Sequence, residues 1–261
     1  MPFERPGTEG VEEEQGMQRL EQFIESTTKK YRAENVPITH DGRIDMLAYQ
    51  SLYPDVVEDL SRTREGQLNA EELRQERLQS TGEKLEILAY AVFSRNIGEQ
   101  FIVARSAPHD DRNGVDTILL DRETGNLVCA FDEVGDTTGQ AYEKKLSVVQ
   151  DKNKKGGASL KYGLGITQHE GKKEVIKTSA KNIPLFYLAV PKDRVEKGVR
   201  EFLPDKPADF EEKLFAYFVA TLASQVTNLE LYSNHLNPDL KAKLTAFKKI
   251  LNDLSLKRKK V

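Results

Sequence analysis

Two apolar segments joined by a short polar turn constrain the fold of this chain more than any other feature. They span residues 114–121 and 127–134, and the intervening RETGN at 122–126 has the glycine and asparagine typical of a hairpin turn. We therefore predict two antiparallel neighbouring strands. Three acidic residues, Asp116, Asp132 and Glu133, fall at the ends of this unit.

The segments around this unit predict a mixed sheet with flanking helices. In chain order the predicted elements are a helix from Ser80, a strand at 100–105, the two strands above, a helix at 138–153, a hairpin of 159–166 and 174–178, and a buried strand at 183–190. Helices and strands in this order indicate an α/β (α+β) fold with a mixed central sheet over residues 80–191.

Both flanks of that core are predicted to be helical. Helical spacing runs from Met17 to Tyr31 and from Ile44 to Leu52, and Asn69 and Glu72 have capping-box spacing. Two amphipathic helices are predicted at 209–228 and 238–254. The chain then divides into an N-terminal helical region at 1–79, a core at 80–191 and C-terminal helices at 192–261 that pack on the core.

The acidic residues of the strand pair are candidate metal ligands. Side chains alternate along a strand, so Asp132 shares a face with Ala130 while Glu133 shares the opposite face with Phe131. Asp132 beside Asp116 offers two hard oxygen ligands to Mg²⁺ and leaves positions for water and phosphate. The alternative is that both aspartates only terminate strands and cap loops.

A helix, then Gly-Val-Asp at 114–116, then four apolar residues followed by Asp132 resemble the PD-(D/E)xK nuclease superfamily. The resemblance covers about residues 80–191 and implies a restriction-endonuclease-like fold. It also implies a Mg²⁺- or Mn²⁺-dependent enzyme that hydrolyses phosphodiester bonds in DNA or RNA, with Asp116 and Asp132 as catalytic metal ligands. Nucleic acid is then the expected partner.

The lysine of that motif is missing from its usual place, two residues beyond the second acid. Val134 stands there, and the register that puts Glu133 in the acidic position puts Gly135 in the lysine position. Some family members supply the amine from the following helix. The predicted buried face of helix 138–153 consists of Ala141, Tyr142, Leu146, Val148 and Val149. Lys145 falls on this face and Lys144 outside it, so Lys145 is the catalytic candidate, unless its stem only lies along the edge of the core.

The family also places a glutamate on the first helix of the core. We prefer Glu86 to Glu83, because Glu83 is expected to complete the capping box of Ser80 while Glu86 lies at the rim of the apolar stripe. Four lysines are expected to contact phosphates, unless they form only a solvated surface: Lys152, Lys154, Lys155 and Lys161.

Composition narrows the function classes further. Hydrophobic residues make up 38% and charged residues 31% of the 261 residues, and no apolar run approaches the roughly 20 residues that span a bilayer. The acidic N-terminus lacks signal-peptide features, so we expect a cytoplasmic protein without membrane partners. With a single cysteine, Cys129, and scattered histidines, neither an internal disulfide nor structural zinc is expected. Three readings follow: a metal-dependent nuclease, a catalytically degenerate nuclease-like module that binds nucleic acid or protein, and a structural protein whose acids are caps.

Overall fold

A four-stranded mixed sheet forms the centre of the computed structural model, which describes residues 8–169 and 171–258. The strands are β1 (Phe101–Arg105), β2 (Thr117–Asp121), β3 (Leu127–Val134), β4 (Ala158–His169), β5 (Lys172–Ile183) and β6 (Leu185–Ala189). The sheet order is β1-β2-β3-β6, with antiparallel pairing from β1 to β3 and parallel pairing of β3 with β6. β4 and β5 form a separate antiparallel hairpin. The predicted mixed α/β class and the antiparallel pair β2 and β3 are confirmed.

Ten helices surround the strands in the described residues. They are α1 (Thr8–Ala33), α2 (Val56–Ser61), α3 (Arg64–Gln67), α4 (Ala70–Gln79), α5 (Thr81–Ile97), α6 (Pro108–Asp111), α7 (Gly139–Lys154), α8 (Lys192–Glu201), α9 (Asp209–Glu230) and α10 (Pro238–Arg258), with 3-10 turns at Met46–Tyr49 and Ser233–His235. None of the described helices has the length and apolar character needed to cross a membrane.

The alternation of side chains along the sheet produces two hydrophobic clusters, one on each face. Leu119 and Phe131 point into a cluster shared with α1, α5 and α8 to α10, whereas Ile118 and Ala130 point into a cluster shared with the β4–β5 hairpin and residues 31–56. The crossover from β3 to the parallel strand β6 runs through α7 and the hairpin. This route places α7 at the ends of β2 and β3 that carry the acidic residues.

Several predicted boundaries need correction. β2 begins at Thr117, so Asp116 precedes the strand, although its N–H still donates to the Phe131 carbonyl at 2.8 Å. The predicted strand at 183–190 is interrupted at Pro184, because Ile183 ends β5 and β6 starts at Leu185. The helix α8 was not predicted, since only Val195, Gly198 and Val199 are buried along it.

The predicted helix from Ile44 to Leu52 is wrong. Ile44 forms a β-bridge with Ile38, and its N–H donates to the Arg105 carbonyl at 2.9 Å, which extends the edge of the sheet beside β1. The Asp45 side chain then caps the single 3-10 turn at Met46–Tyr49. Of the residues that gave the helical spacing, Ile44 is buried whereas Leu47 and Leu52 are 52% and 48% exposed, so the spacing does not mark one buried helical face.

The two predicted capping boxes have different outcomes. Asn69 and Glu72 form the full reciprocal box at the start of α4. At the start of α5, the Ser80 hydroxyl accepts from the Glu83 N–H at 3.3 Å, but the Glu83 carboxylate accepts from Arg105 at 2.9 Å. A guanidinium is a stronger partner for a carboxylate than a backbone N–H, so the box is left half formed.

Candidate functional site

A cavity of about 530 Å³ opens at the ends of β2 and β3, between α3, α5, α6 and α7. Six acidic and four basic side chains line it: Glu65, Glu83, Glu86, Asp111, Asp116 and Glu133, and Arg62, Arg64, Arg112 and Lys145. The site residues predicted from the sequence that line this cavity are Glu86, Asp116, Glu133 and Lys145. The structure therefore brings a helix, two strands and the following helix to one place.

Three carboxylates converge in this cavity. Glu86, Asp111 and Asp116 each bring one oxygen atom within 4.8 Å of the others, and Glu86 and Asp116 are buried. The hydrogen bonds that they accept go to one oxygen of each: Oε2 of Glu86, Oδ2 of Asp111 and Oδ2 of Asp116. The second oxygen of each carboxylate accepts no hydrogen bond from the described residues. Such hard oxygen atoms are the donors that Mg²⁺ and Mn²⁺ prefer.

Two buried arginines form ion pairs with this acid cluster. Arg105 Nη2 donates to Glu86 Oε2 at 2.7 Å, and Arg43 Nη1 donates to Asp111 Oδ2 at 2.5 Å. Gly42 has φ +84°, and the Tyr90 ring leaves no room for a side chain at this position. This backbone conformation lets residues 42–44 pair with the end of β1, which fixes the position of Arg43. The arginines set the positions of two of the three carboxylates.

Glu133 contributes a further carboxylate without a partner. It is 2% exposed, and neither of its carboxylate oxygens accepts a hydrogen bond from the described residues. Burial raises the pKa of Glu133 to about 8, and the nearby Glu86 charge adds to this, while the neighbouring Thr117 and Asp116 side chains only partly oppose it. Unpaired buried oxygens beside the acid cluster mark a place that favours an added positive charge.

Asp116 experiences the same excess of negative charge. Burial raises its pKa well above the usual range, and Glu86, Glu133 and Asp132 add to the effect. Its Oδ2 accepts the Glu133 N–H at 2.7 Å, which links the ends of the two strands. A divalent cation fits this donor set, because it would offset the mutual repulsion of the carboxylates.

Lys145 reaches the site from α7. Its Nζ donates to Asp132 Oδ1 at 2.5 Å and to the Glu133 carbonyl at 2.9 Å. Burial lowers the pKa of Lys145, but Asp116 and Asp132 outweigh burial and raise it. Lys144 is exposed, as the helical wheel predicts. On the predicted buried face Val149 is buried, whereas Val148 is 40% exposed, so the face is narrower than predicted.

Asp132 differs from the other predicted metal ligands in its surroundings. It is buried and its Oδ1 is engaged by Lys145, and it is not one of the three acids that converge within 4.8 Å. Asp111 is the third member of that set. The structure thus groups Asp116 with Glu86 and Asp111, and Asp132 with the lysine.

The four lysines predicted to contact phosphate lie in different surroundings. Lys152 donates to the carbonyls of Asn113 and Gly114, and burial lowers its pKa. Lys154 is exposed beside Asp151, and Lys155 caps the end of α7. Lys161 lies on β4 with its Nζ 2.6 Å from both Asp55 and Asp59, and it does not line the cavity. Its charge is already matched by those two carboxylates.

The sequence reading missed Asp111, Arg43 and Arg105. Asp111 lay in a segment interpreted as a polar loop, and Arg43 has no local signal. Arg105 did carry one, since an arginine that ends the apolar strand Phe101–Arg105 needs a buried counter-charge, and Arg105 is 0% exposed.

Comparison with protein-family models, with curated protein sequences and with solved structures found no match for this chain.

Proposed function

We propose that this protein is a metal-dependent nuclease with a restriction-endonuclease-like core. The observation that carries the proposal is the convergence of Glu86, Asp111 and Asp116 within 4.8 Å in a cavity that also receives Lys145. Three oxygen donors and an amine from separate elements are the parts that phosphodiester hydrolysis by a divalent metal requires.

The residues have distinct roles in this proposal. Glu86, Asp111 and Asp116 hold a Mg²⁺ or Mn²⁺ ion, and Glu133 offers a further oxygen ligand. A metal ion held by these carboxylates would supply a water molecule of lowered pKa and positive charge to offset that of the phosphate. The Lys145 ammonium, oriented by Asp132 at 2.5 Å, stabilises negative charge that develops on the transferred phosphoryl group.

A second candidate is a nuclease-like module that binds nucleic acid without cleaving it. Two observations favour it. Val134 occupies the position of the motif lysine, and Arg43 and Arg105 already pair with Asp111 and Glu86. These ion pairs neutralise part of the negative charge that would attract a metal ion.

Calorimetric titration with Mn²⁺ and Mg²⁺, combined with a cleavage assay, separates these functions. Wild-type protein should bind metal saturably, Asp116→Asn should abolish binding, and Asp151→Asn, an exposed acid on α7, should leave it unchanged. The substrates are labelled single-stranded, double-stranded and branched DNA, and single-stranded RNA. Metal binding with cleavage supports the nuclease. Nucleic-acid binding that falls steeply with salt but gives no product supports the module, and absence of saturable metal binding refutes the nuclease.

A further inference from the structure

The cavity at the acid cluster has charge arranged in two layers. Glu86, Asp116 and Glu133 form a buried acidic floor. Arg62 and Arg64 lie at the opening, with side chains 60% and 66% exposed, and neither received a role from the sequence. Arg112, which follows α6, is exposed at the same opening. We refer to Arg62, Arg64 and Arg112 as the arginine rim.

The rim is held at a fixed position relative to the floor. Arg112 Nη1 donates to the Arg62 carbonyl at 2.9 Å, which joins the end of α6 to the segment between α2 and α3. Arg43 contacts Glu65 of α3 at 3.4 Å and Asp111 of the acid cluster at 2.5 Å. One buried arginine therefore connects the segment that carries the rim with the acid cluster below it.

The present partners of the rim arginines are replaceable. Arg62 pairs with Glu58 and Arg64 with Glu76, and these glutamates are 62% and 45% exposed. Exposed ion pairs contribute little and are screened by salt. A guanidinium binds a phosphate through two parallel hydrogen bonds, so a phosphate can take the place of an exposed, weakly held glutamate.

A phosphate chain needs such a rim to approach this floor. Any ionised carboxylate on this floor repels a phosphodiester, so cations must contact flanking phosphates before one phosphate reaches the floor. The cavity of about 530 Å³ is the size of a site for a small organic ligand. This volume accommodates a short stretch of one strand at the floor, and we expect a second, paired strand to stay outside the cavity.

We propose that the arginine rim binds the phosphates of a single nucleic-acid strand and directs that strand to the acidic floor. This inference rests on the proposed function for the class of ligand, and it gives the N-terminal region a share in the site.

Fluorescence anisotropy with end-labelled oligothymidylate in EDTA tests the rim without metal or cleavage. The variant Arg62→Gln/Arg64→Gln should bind about 20-fold more weakly at 0.1 M salt, and the slope of log K against log salt should fall by about 1.4. The matched control is Lys192→Gln/Lys197→Gln, which removes two exposed cations from ion pairs on α8, away from the cavity. This control should bind as wild type does. Thermal unfolding verifies that both variants are folded.

The outcomes distinguish the rim from the nuclease. Unchanged affinity in the arginine variant, an equal loss in the lysine control, or tighter binding of a duplex of the same length would overturn the rim. Arginine-dependent strand binding without any cleavage in Mn²⁺ would support the rim and refute the nuclease. Cleavage with normal affinity in the arginine variant would refute the rim and leave the nuclease standing.

Discussion

Asp59 and Asp132 are both buried aspartates that receive a lysine, but their surroundings differ in the balance of charge. Asp59 accepts from Lys161 at 2.6 Å and from the Tyr162 hydroxyl at 2.7 Å, with His109 Nδ1 at 3.5 Å. Burial raises the pKa of Asp59, but the hydrogen bonds from Lys161 and Tyr162 outweigh burial and lower it overall. The negative charge of Asp59 is therefore balanced by hydrogen-bond donors in this cluster.

The cluster around Asp132 has the opposite balance. Lys145 pairs with Asp132, and Asp116 and Glu133 lie beside this pair. Burial together with neighbouring acids raises the pKa of Asp116 and of Glu133. This cluster also opens onto a cavity, whereas neither Asp59 nor Lys161 lines one of the described cavities. The Asp59 cluster is thus matched in charge, while the Asp132 cluster contains buried acids with raised pKa values beside a cavity, a combination typical of functional sites.

The largest expected effect is on the rate of cleavage, and it should distinguish Lys145 from its neighbour Lys144. If the protein is a nuclease, Lys145→Ala should lower the cleavage rate constant about 10²- to 10³-fold, as loss of one transition-state donor does. Lys144→Ala, one residue away and exposed, should leave it unchanged. Single-turnover cleavage is the measurement, and Lys145→Arg should restore part of the rate. Cleavage lost in Asp132→Ala but normal in Lys145→Ala would contradict the role of the lysine.

Removing one acid from each cluster should change stability in opposite directions. Asp59→Ala should lower the free energy of unfolding by about 2 kcal/mol, because the Tyr162 hydroxyl loses its acceptor and Lys161 keeps only the exposed Asp55 as a partner. Asp116→Asn should raise it by about 1 kcal/mol in the absence of metal, because it reduces repulsion while an amide oxygen still accepts the Glu133 N–H. Urea unfolding in EDTA measures both. Destabilisation by Asp116→Asn would show that its charge is already compensated.

The two clusters should also lose stability at opposite ends of the pH range. The folded-state pKa of Glu133, about 8, exceeds its unfolded value of 4.5, so its contribution is full at low pH and is lost as pH rises between these values. The pKa of Asp59 lies below 3.8, so its contribution is lost only as pH falls below that value. In EDTA we expect the free energy of unfolding to decline by about 1 kcal/mol per pH unit as pH rises near neutrality.

Glu133→Gln should make this decline shallower, with Asp116 and its raised pKa still contributing, and Glu123→Gln, in the exposed turn between β2 and β3, should retain the full decline. The free energy of unfolding is measured by urea titration at several pH values. A flat profile for wild-type protein would mean that Glu133 is ionised without cost in the folded state.

The smallest expected effect concerns nucleic-acid binding by Lys161. Because Asp55 and Asp59 already pair with its ammonium, Lys161→Gln should change the Kd for oligothymidylate by less than about twofold. Its thermal unfolding temperature should fall at the same time. Weakening comparable to that of the arginine variant would place the Asp59 cluster on the nucleic-acid surface.

The parts of the fold that depend on local pattern were predictable from the sequence. β3 spans the predicted residues 127–134 because apolar character, β-branching and turn residues agree along that segment. Helical spacing selected Lys145 over Lys144, and the family resemblance implied its place beside the acidic strand end, where it contacts Asp132. The capping box at Glu83 could not be predicted from local sequence alone. Ser80 makes its half of the box, but the Glu83 carboxylate accepts from Arg105, which is distant in sequence.

The rest of the site depends on contacts between distant segments. Arg43 meets Glu86 and Asp111 only because residues 42–44 extend the sheet edge beside β1, and no periodicity in the sequence reports such a bridge. The acid grouping was therefore predicted from neighbouring strands, with Asp132 and Glu133 beside Asp116. In the structure the predicted Glu86 of α5 converges with Asp116, and Asp111 of α6, which was not predicted, completes the set.

The Arg43 contacts also have a consequence for the order in which the chain assembles. Lys145 and Asp132 are 13 positions apart, whereas Arg43 is 43 positions from Glu86 and 68 from Asp111. Closing longer loops costs more entropy, so the lysine contact can form with the β3–α7 segment while the arginine contacts wait for the N-terminal region to dock. Arg43→Met should then accelerate unfolding more than it slows refolding. A metal ion bound at Asp111 would likewise stabilise the native state mainly by slowing its unfolding.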